Sequence, residues 1–222
     1  MDFQILSLLT GAEVEYLVSE LSRVKFVDGR STAAGIAADV KHNLQAERSG
    51  TALAALDEMV FARLRDNAEF QLFAHPKRVL APSYSRYEPG MDYGSHIDSA
   101  VMGGSSPLRT DFAMTVFLSQ PDSYDGGELA MESPVGEQEI KLSAGEAIVY
   151  PATTLHRVTP VRRGVRLAAV TWIQSTVPDS RLRPILYDLG KAVASAEAAG
   201  DKGQIQRLAK AYHNLLRYAA DL

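Results

Sequence analysis

Apolar residues in the first third of the chain recur with a helical period. They lie at most four positions apart, first at Ala12, Val14, Leu17, Leu21 and Val24, and again at Leu53, Leu56, Met59, Val60 and Leu64. Residues with this spacing share one face of a helix. We therefore predict a helix that begins at Thr10 and a second over residues 49–67, with Ser49 as its N-cap. Between them, residues 28–47 read as a polar loop with room for one short strand.

The pattern changes to a β texture between residues 78 and 174. Short runs of β-branched and aromatic residues alternate with clusters of Gly, Pro, Asp and Ser, which favour turns. The runs that we predict as strands are 79–87, 111–119, 128–132, 138–142, 146–150, 156–161 and 165–174. About seven or eight short strands in about a hundred residues are typical of a double-sheet jelly roll. We predict a mainly β (α+β) fold with helices packed on an outer face of this core.

A second helical region follows Val177-Pro178-Asp179. Residues 181–199 and 201–218 predict two helices that meet at Gly200. We therefore divide the chain into an N-terminal helical flank (1–77), a β core (78–177) and a small C-terminal helical unit (178–222). That unit could be structural, or its helices could form the surface of a homodimer.

Composition and charge narrow the function classes. The 222 residues, 46% of them apolar, suffice for a real core, and the net charge of −4 gives no basic surface for nucleic acid or anionic lipid. The absence of cysteine excludes disulfides, thiolate metal sites and cysteine nucleophiles. No signal peptide is apparent, and no apolar run approaches the roughly 20 residues of a membrane span. We expect a cytoplasmic protein without a membrane partner.

Two of the five histidines stand in a setting that suggests metal chemistry. His96 and Asp98 lie two positions apart, so in an extended strand they point to the same face. His156 opens a strand far along the chain and is our candidate for a third ligand. Two histidines and one carboxylate suit non-haem Fe(II), because they leave positions for a chelating co-substrate and O₂. A His-x-Asp pair alone is common, however: Asp98 could cap a turn and His96 could be a core residue.

Arg166 is the candidate for holding that co-substrate. If Arg162-Arg163-Gly164 forms a hairpin loop, Pro160 pairs with Arg166, which then shares a face with His156 at a distance of roughly 13 Å. A five-carbon diacid bound to iron would fill that gap, and arginine clamps a carboxylate with two hydrogen bonds. A bulge or an even loop would turn Arg166 away, and a surface arginine is the alternative. Its apolar neighbours favour a buried strand, where an arginine needs an anionic partner.

These residues belong to a longer run of motifs that resembles a known family. Residues 87–98 follow the Tyr-x-x-Gly-x-x-Tyr-x-x-His-x-Asp signature of prolyl and lysyl hydroxylase-like dioxygenases. Ordered motifs continue at 109–112, 117–118, 125–129, 144–146, 150–151, 155–161, 164–166 and 172–175. Together they resemble the bacterial PKHD-type hydroxylases over about residues 78–178.

The resemblance implies a double-stranded β-helix core that uses Fe(II), 2-oxoglutarate and O₂. It places the metal on His96, Asp98 and His156, and the C5-carboxylate of 2-oxoglutarate on Arg166. It also implies hydroxylation of an unactivated C–H bond with release of succinate and CO₂, and ascorbate as a reductant that rescues oxidised iron. The sequence does not assign the substrate, which could be a small molecule or a peptide: a prolyl or lysyl residue, an amino acid, or a metabolite such as an iron chelator.

Several weaker candidates surround this set. Tyr87 could hydrogen-bond the co-substrate or be a core tyrosine, and Trp172 could wall the pocket. Glu128 is more typical of a structural salt bridge. Asp111, together with Arg109, could shape the pocket mouth, and Asp111 is a rival metal ligand. The loop 100–108 could be a lid or a connector.

Other function classes remain open on the residues alone. A cupin-like jelly roll without redox chemistry, such as an isomerase or a sugar-binding module, would keep the three ligands but would not need Arg166. A degenerate scaffolding domain would not need to keep all four residues. Zinc hydrolysis fits the ligands, yet no additional general base is evident.

Overall fold

Two antiparallel β-sheets form the core of the protein. The structure, a computed structural model, describes residues 3–32, 36–48 and 51–222. Within them the larger sheet has the order β1-β13-β10-β15-β6-β4-β2, and β5 also pairs with β15. Its strands are β1 (Gln4–Ser7), β2 (Phe26–Asp28), β4 (Leu44–Ala46), β5 (Pro76–Val79), β6 (Ser83–Tyr87), β10 (Phe112–Phe117), β13 (Glu146–Pro151) and β15 (Arg166–Ser175).

The smaller sheet has the order β12-β11-β14-β7-β3. Its strands are β3 (Lys41–His42), β7 (Asp92–His96), β11 (Leu129–Ser133), β12 (Gly136–Ile140) and β14 (His156–Val158). A separate short hairpin joins β8 (Val101–Met102) to β9 (Leu108–Arg109). The helices are α1 (Gly11–Leu21), α2 (Ile36–Asp39), α3 (Ala54–Asp66), α4 (Ala68–Ala74), α5 (Leu182–Ala198) and α6 (Lys202–Ala219), with a 3₁₀ turn over Gly29–Thr32.

The central strand β10 shows how the layers are arranged. All six of its residues are buried, and alternate side chains point to opposite faces. Met114 and Val116 pack in one cluster with Leu17 of α1 and Leu56 of α3. The other face carries Ala113 and Phe117, which pack with residues of both sheets: Leu129, Met131, Ile148 and Tyr150. The helices therefore cover the outside of the larger sheet, while its inner face meets the smaller sheet.

The predicted helices are confirmed, with shifted ends. A capping box between Thr10 and Glu13 starts α1, which buries Val14, Leu17 and Leu21 on one face. The second predicted helix begins at Ala54, and its proposed cap, Ser49, lies outside the described residues. In the described residues, no helix is both long and apolar enough to cross a membrane.

The segment predicted as a polar loop contributes to both sheets. β2 and β4 join the larger sheet, and β3 joins the smaller one. These strands are two or three residues long, which is too short for a period-two pattern to be visible in the sequence. The flank 1–77 is thus not purely helical, and the division at residues 77 and 177 stays a prediction.

The predicted hairpin between residues 156–161 and 165–174 is wrong. β14 and β15 lie in different sheets, and Arg166 pairs with Tyr87 of β6 rather than with Pro160. After Val158 the chain leaves the smaller sheet, and its amides bond to other segments: Thr159 N to Glu128 O, Val161 N to Met91 O and Arg162 N to Asp125 O. These hydrogen bonds hold the segment in which the chain crosses from the smaller sheet to the larger one.

Candidate metal centre

The three predicted ligands converge at one point of the smaller sheet. His96 ends β7 and faces His156, the first residue of β14, across the strand pair. Asp98 follows His96 after one residue, as the chain leaves β7. One donor atom from each of the three residues lies within 4.8 Å of the other two, and the imidazole centroids are 4.4 Å apart. This spacing allows a single metal ion to contact all three.

Both imidazoles are oriented by their own chain segment. Nδ1 of His96 lies 2.8 Å from the carbonyl oxygen of Gly94, and Nδ1 of His156 lies 2.9 Å from that of Thr154. A carbonyl can only accept, so we assign the proton to Nδ1 of each ring, which leaves Nε2 as a metal donor. Tyr93 stacks on His96 with 3.7 Å between ring centroids. Burial and the neighbouring His156 lower the pKa of His96 to about 4, so this ring is neutral at pH 7.

Asp98 supplies the carboxylate of the set. Its Oδ2 atom is buried and makes no hydrogen bond with any described residue, and burial raises the pKa of this carboxyl. Nε1 of Trp172 lies beside it, outside hydrogen-bond geometry, and also has no partner in the described part of the chain. A buried carboxylate without a partner is costly. Two imidazoles and one such carboxylate fit Fe(II) in donor type and number.

Arg166 lies in the same cavity as the three ligands, which has a volume of about 340 Å³. The residue is only 2% exposed, and its guanidinium lies 5.0 Å from the ring centre of Tyr87 and 5.5 Å from that of Phe117. No carboxylate of the described residues lies within salt-bridge distance of it, and its Nε has no hydrogen-bond partner among them. A buried guanidinium without an anion is costly, so this position suits an anionic ligand.

Tyr87 and Gly127 shape the surroundings of Arg166. Tyr87 is buried, faces Arg166 across the β6–β15 pair and lines the cavity. Burial raises the pKa of its hydroxyl, which is therefore a neutral hydrogen-bond donor at pH 7. A Cβ atom at Gly127, which has a φ of +68°, would lie 2.9 Å from Cδ of Arg166. The glycine thus leaves the room that the arginine stem occupies.

The weaker candidates, Trp172, Asp111 and Glu128, lie in different environments. Trp172 lines the cavity, whereas Asp111 does not. The Asp111 carboxylate accepts hydrogen bonds from Arg109 and Arg183, so the expectation that it could be a rival ligand is wrong. Glu128 accepts from the Thr159 hydroxyl and lies 3.9 Å from Lys141, as a structural residue would.

Other expectations concern the loop 100–108 and the segment before β4. The loop 100–108 forms a short hairpin of strands β8 and β9. Met102 and Gly103 of this hairpin line the cavity, and the role of the loop as a lid stays a prediction. Lys41 and Asn43 also line the cavity but were not singled out in the sequence. No motif marks them, because they lie in or beside strands of two and three residues.

Comparison with known proteins agrees with this geometry. Residues 82–174 match the family model of the 2OG-Fe(II) oxygenase superfamily. Residues 179–221 match the model of the PKHD-type hydroxylase C-terminal domain.

Individual relatives extend the match along the chain. A PKHD-type hydroxylase from Crocosphaera subtropica is 42% identical over 97% of both chains. The fold resembles that of a Trichoplax adhaerens prolyl hydroxylase in complex with a hypoxia inducible factor peptide fragment (TM-score 0.56, 15% identity, 83% of this chain and 86% of that one). It also resembles HygX from Streptomyces hygroscopicus with nickel, 2-oxoglutarate and hygromycin B bound (TM-score 0.53, 16% identity, 79% and 83%). The chain therefore belongs to the PKHD-type hydroxylases, within the Fe(II)- and 2-oxoglutarate-dependent oxygenases.

Proposed function

We propose that the chain hydroxylates an unactivated C–H bond with Fe(II) held by His96, Asp98 and His156 and with 2-oxoglutarate held by Arg166. One observation carries the proposal. Three metal donors converge in a cavity that also contains a buried arginine for which the described residues supply no carboxylate. A metal site and an anion site in one cavity are what a chelating dicarboxylate requires.

Hydrogen bonds within the chain orient both imidazoles without a bound ligand. The carbonyls of Gly94 and Thr154 hold both imidazoles with Nε2 directed away from the backbone. Arg166 would hold the distal carboxylate with its N–H donors, and the Tyr87 hydroxyl would donate a hydrogen bond to the same group. Bound Fe(II) would supply the centre at which O₂ and 2-oxoglutarate react, so that decarboxylation to succinate and CO₂ is coupled to hydroxylation of the substrate.

The cupin-like alternative leaves Arg166 unexplained. A metal-binding jelly roll with an isomerase or sugar-binding function needs the three ligands, but not a buried arginine directed into the cavity. Burying a guanidinium is unfavourable unless an anion compensates it. The position of Arg166 therefore favours the dioxygenase function.

The substrate, the reductant and the oligomeric state belong to the same proposal. The Trichoplax enzyme was solved with a peptide and HygX with hygromycin B, which supports a peptidyl or small-molecule substrate here as well. Ascorbate would act as a reductant that restores oxidised iron. The C-terminal helices would form a homodimer surface, on which Tyr218 is 83% exposed; light scattering tests that state.

An anaerobic titration tests the central proposal. Protein with Fe(II) and 2-oxoglutarate should give the weak visible charge-transfer band of the chelate. Arg166→Ala should need at least tenfold more 2-oxoglutarate for the same band, whereas the exposed Arg162→Ala should behave like the wild type. Bound metal without a band in the wild-type protein would contradict the proposal and favour the non-redox alternative.

A further inference from the structure

Tyr124 is a buried tyrosine outside the lining of the cavity that contains the metal donors. It lies in the segment between β10 and β11 and is only 1% exposed. Its hydroxyl makes no hydrogen bond of good geometry with any described residue. Buried tyrosine hydroxyls usually have a hydrogen-bond partner, so the surroundings of this one indicate what it is for.

The unsatisfied hydroxyl of Tyr124 lies beside the guanidinium of Arg166. A Cβ atom at Gly127 would lie 3.1 Å from Cε2 of Tyr124 and 2.9 Å from Cδ of Arg166, so the tyrosine ring and the arginine stem border the same small space. Burial raises the pKa of Tyr124, and the positive charge of Arg166 opposes this shift. The hydroxyl is therefore protonated at pH 7, and its oxygen can accept a hydrogen bond.

Arg166 has more N–H donors than a bound carboxylate can accept. A guanidinium carries several N–H groups, and a bidentate contact with a carboxylate leaves some of them free. The side chain of Arg166 is 2% exposed, and its Nε has no hydrogen-bond partner among the described residues. A further acceptor is therefore needed, and the hydroxyl oxygen of Tyr124 lies where it can become that acceptor.

Contacts with both its ring and its backbone fix Tyr124 in place. Nζ of Lys141 lies 3.9 Å from the centre of the ring and donates a hydrogen bond of 2.7 Å to the carbonyl oxygen of Tyr124. The next residue, Asp125, forms an isolated β-bridge with Arg163, shortly before Arg166 in the chain. The position of Tyr124 is thereby tied to the start of β15, which begins with Arg166.

We propose that Tyr124 is a positioning residue for Arg166, whose guanidinium donates a hydrogen bond to the tyrosine hydroxyl and is thereby directed at the distal carboxylate of 2-oxoglutarate. The inference rests on the proposed function, because it takes Arg166 as the co-substrate residue. The planar fork of an arginine binds a carboxylate through two bonds only in a matching orientation. Because Tyr124 does not line the cavity, it acts through Arg166 and not on the co-substrate itself.

Tyr124→Phe removes the hydroxyl and keeps the ring that Lys141 contacts. The Fe(II) chelate band is titrated anaerobically with 2-oxoglutarate and with 2-oxopentanoate, in which a methyl group replaces the distal carboxylate. We expect Tyr124→Phe to need about tenfold more 2-oxoglutarate for half of the maximal absorbance, but an unchanged concentration of 2-oxopentanoate. A general loss of structure would weaken both ligands. Tyr84→Phe, which removes a buried hydroxyl bonded to Asp57, is the matched control and should change neither titration.

A double variant tests whether the hydroxyl acts through Arg166. In Arg166→Ala the guanidinium is absent, so adding Tyr124→Phe should change the 2-oxoglutarate requirement by less than about twofold. The inference is overturned if Tyr124→Phe leaves the 2-oxoglutarate requirement unchanged, weakens both ligands equally, or has its full effect in the Arg166→Ala background. A wild-type protein that binds 2-oxopentanoate as tightly as 2-oxoglutarate would contradict the proposed function instead, since Arg166 would then not hold the distal carboxylate.

Discussion

Each of the two histidines proposed as metal ligands is oriented by a carbonyl two residues before it. In the sequence Gly94-Ser95-His96 and again in Thr154-Leu155-His156, the ring Nδ1 returns to the backbone of its own segment. Such a local contact needs no distant carboxylate to fix the tautomer, and it forms as soon as the strand forms. Asp98 has no comparable support, because its Oδ2 lacks a partner among the described residues. Of the three proposed ligands, the carboxylate is therefore the one whose environment we expect to depend most on the metal.

Asp98→Asn tests this dependence. The amide keeps the shape but loses the charge, so we expect the metal-free variant to be as stable as the wild type or more stable. Zn(II) at about a hundred times its dissociation constant should stabilise the wild type by about 2.7 kcal/mol. Asp98→Asn should lose most of that gain at the same Zn(II) concentration, as measured by urea unfolding. Asp92→Asn, whose partner is the exposed His42, should retain it; equal gains in both variants would contradict the ligand role.

Gly127→Ala tests the packing around Arg166 without changing a charged group. The added Cβ would lie 2.9 Å from Cδ of Arg166 and 3.0 Å from Val161, so the arginine stem must move. We expect about a tenfold rise in the 2-oxoglutarate concentration at which the absorbance of the chelate band reaches half of its maximum. A tenfold change corresponds to a loss of about 1.4 kcal/mol in binding free energy. Gly136→Ala also forces an unfavourable positive φ but meets nothing within 4 Å, so it controls for backbone strain. A similar effect of both substitutions would attribute the loss to strain rather than to displacement of Arg166.

At the scale of elements, the sequence predicts long periodic segments better than crossings between sheets. Helix α1 is visible because its apolar residues follow the helical period, and strand β10 because five of its six consecutive residues are apolar. The segment after His156 is different, since apolar β-type residues continue on both sides of a short Arg-Arg-Gly loop and resemble a hairpin. Only the hydrogen bonds to Glu128, Met91 and Asp125 reveal that the chain changes sheets there.

The candidate site shows the same limit. His96 and Asp98 could be found because side chains two positions apart in an extended segment point to the same side. The sequence argument directed Arg166 toward the correct cavity from an incorrect strand pairing. Lys41 and Asn43 could not be found, because their place in the cavity depends on pairing between segments far apart in the chain. Long-range pairing of strands this short leaves no local pattern.

His75 links α4 to β5 and makes that junction sensitive to acid. His75 ends α4 in a left-handed conformation with a φ of 43°. Its carbonyl accepts hydrogen bonds from the backbone amide of Thr176 and from the side chains of Ser175 and Thr176. The Nε2 atom of its ring has no hydrogen-bond partner among the described residues. Burial lowers its pKa. A lowered folded-state pKa means that the unfolded state binds the proton more readily. The associated stability is therefore present above the unfolded value of about 6.5 and is lost as the pH falls below it.

His75→Asn tests this contribution, since asparagine tolerates the left-handed conformation. Unfolding free energies of the metal-free protein are measured at pH 7.5 and pH 5.5. We expect a smaller loss on acidification in the variant, with a difference of up to about 1.4 kcal/mol per pH unit for one proton. The wild type and the variant are compared by the change in unfolding free energy between the two pH values, because loss of the packing of the ring lowers the stability of the variant at both of them. The exposed His213→Asn is the control; an unchanged pH dependence in His75→Asn would refute the assignment.

At the scale of the whole molecule, one buried carboxylate connects the C-terminal helices to the sheet. Asp111 precedes β10, and its Oδ2 accepts a hydrogen bond from the backbone amide of Ser175 at the end of β15. Its Oδ1 accepts from Arg183 of α5, whose Nε donates to the carbonyl of Val177. The same β15 begins with Arg166. The docking of α5 and the position of Arg166, the proposed co-substrate residue, therefore depend on a common strand.

Arg183→Met should reveal how strongly this contact holds the two parts together. Both partners of the ion pair are less than a tenth exposed, so the variant leaves a buried carboxylate that is only partly compensated by Arg109. Breaking a buried pair from one side typically costs about 3–5 kcal/mol, and we expect the lower end of that range because Arg109 remains. The neighbouring Arg181→Met removes a guanidinium that is 87% exposed and should change the unfolding free energy by less than about 0.5 kcal/mol.

A double variant tests whether the uncompensated charge of Asp111 causes the loss of stability in Arg183→Met. If it does, adding Asp111→Asn to Arg183→Met should recover part of the lost unfolding free energy. A double variant less stable than the single one would instead show that the carboxylate supports Ser175 and Arg109 independently of α5.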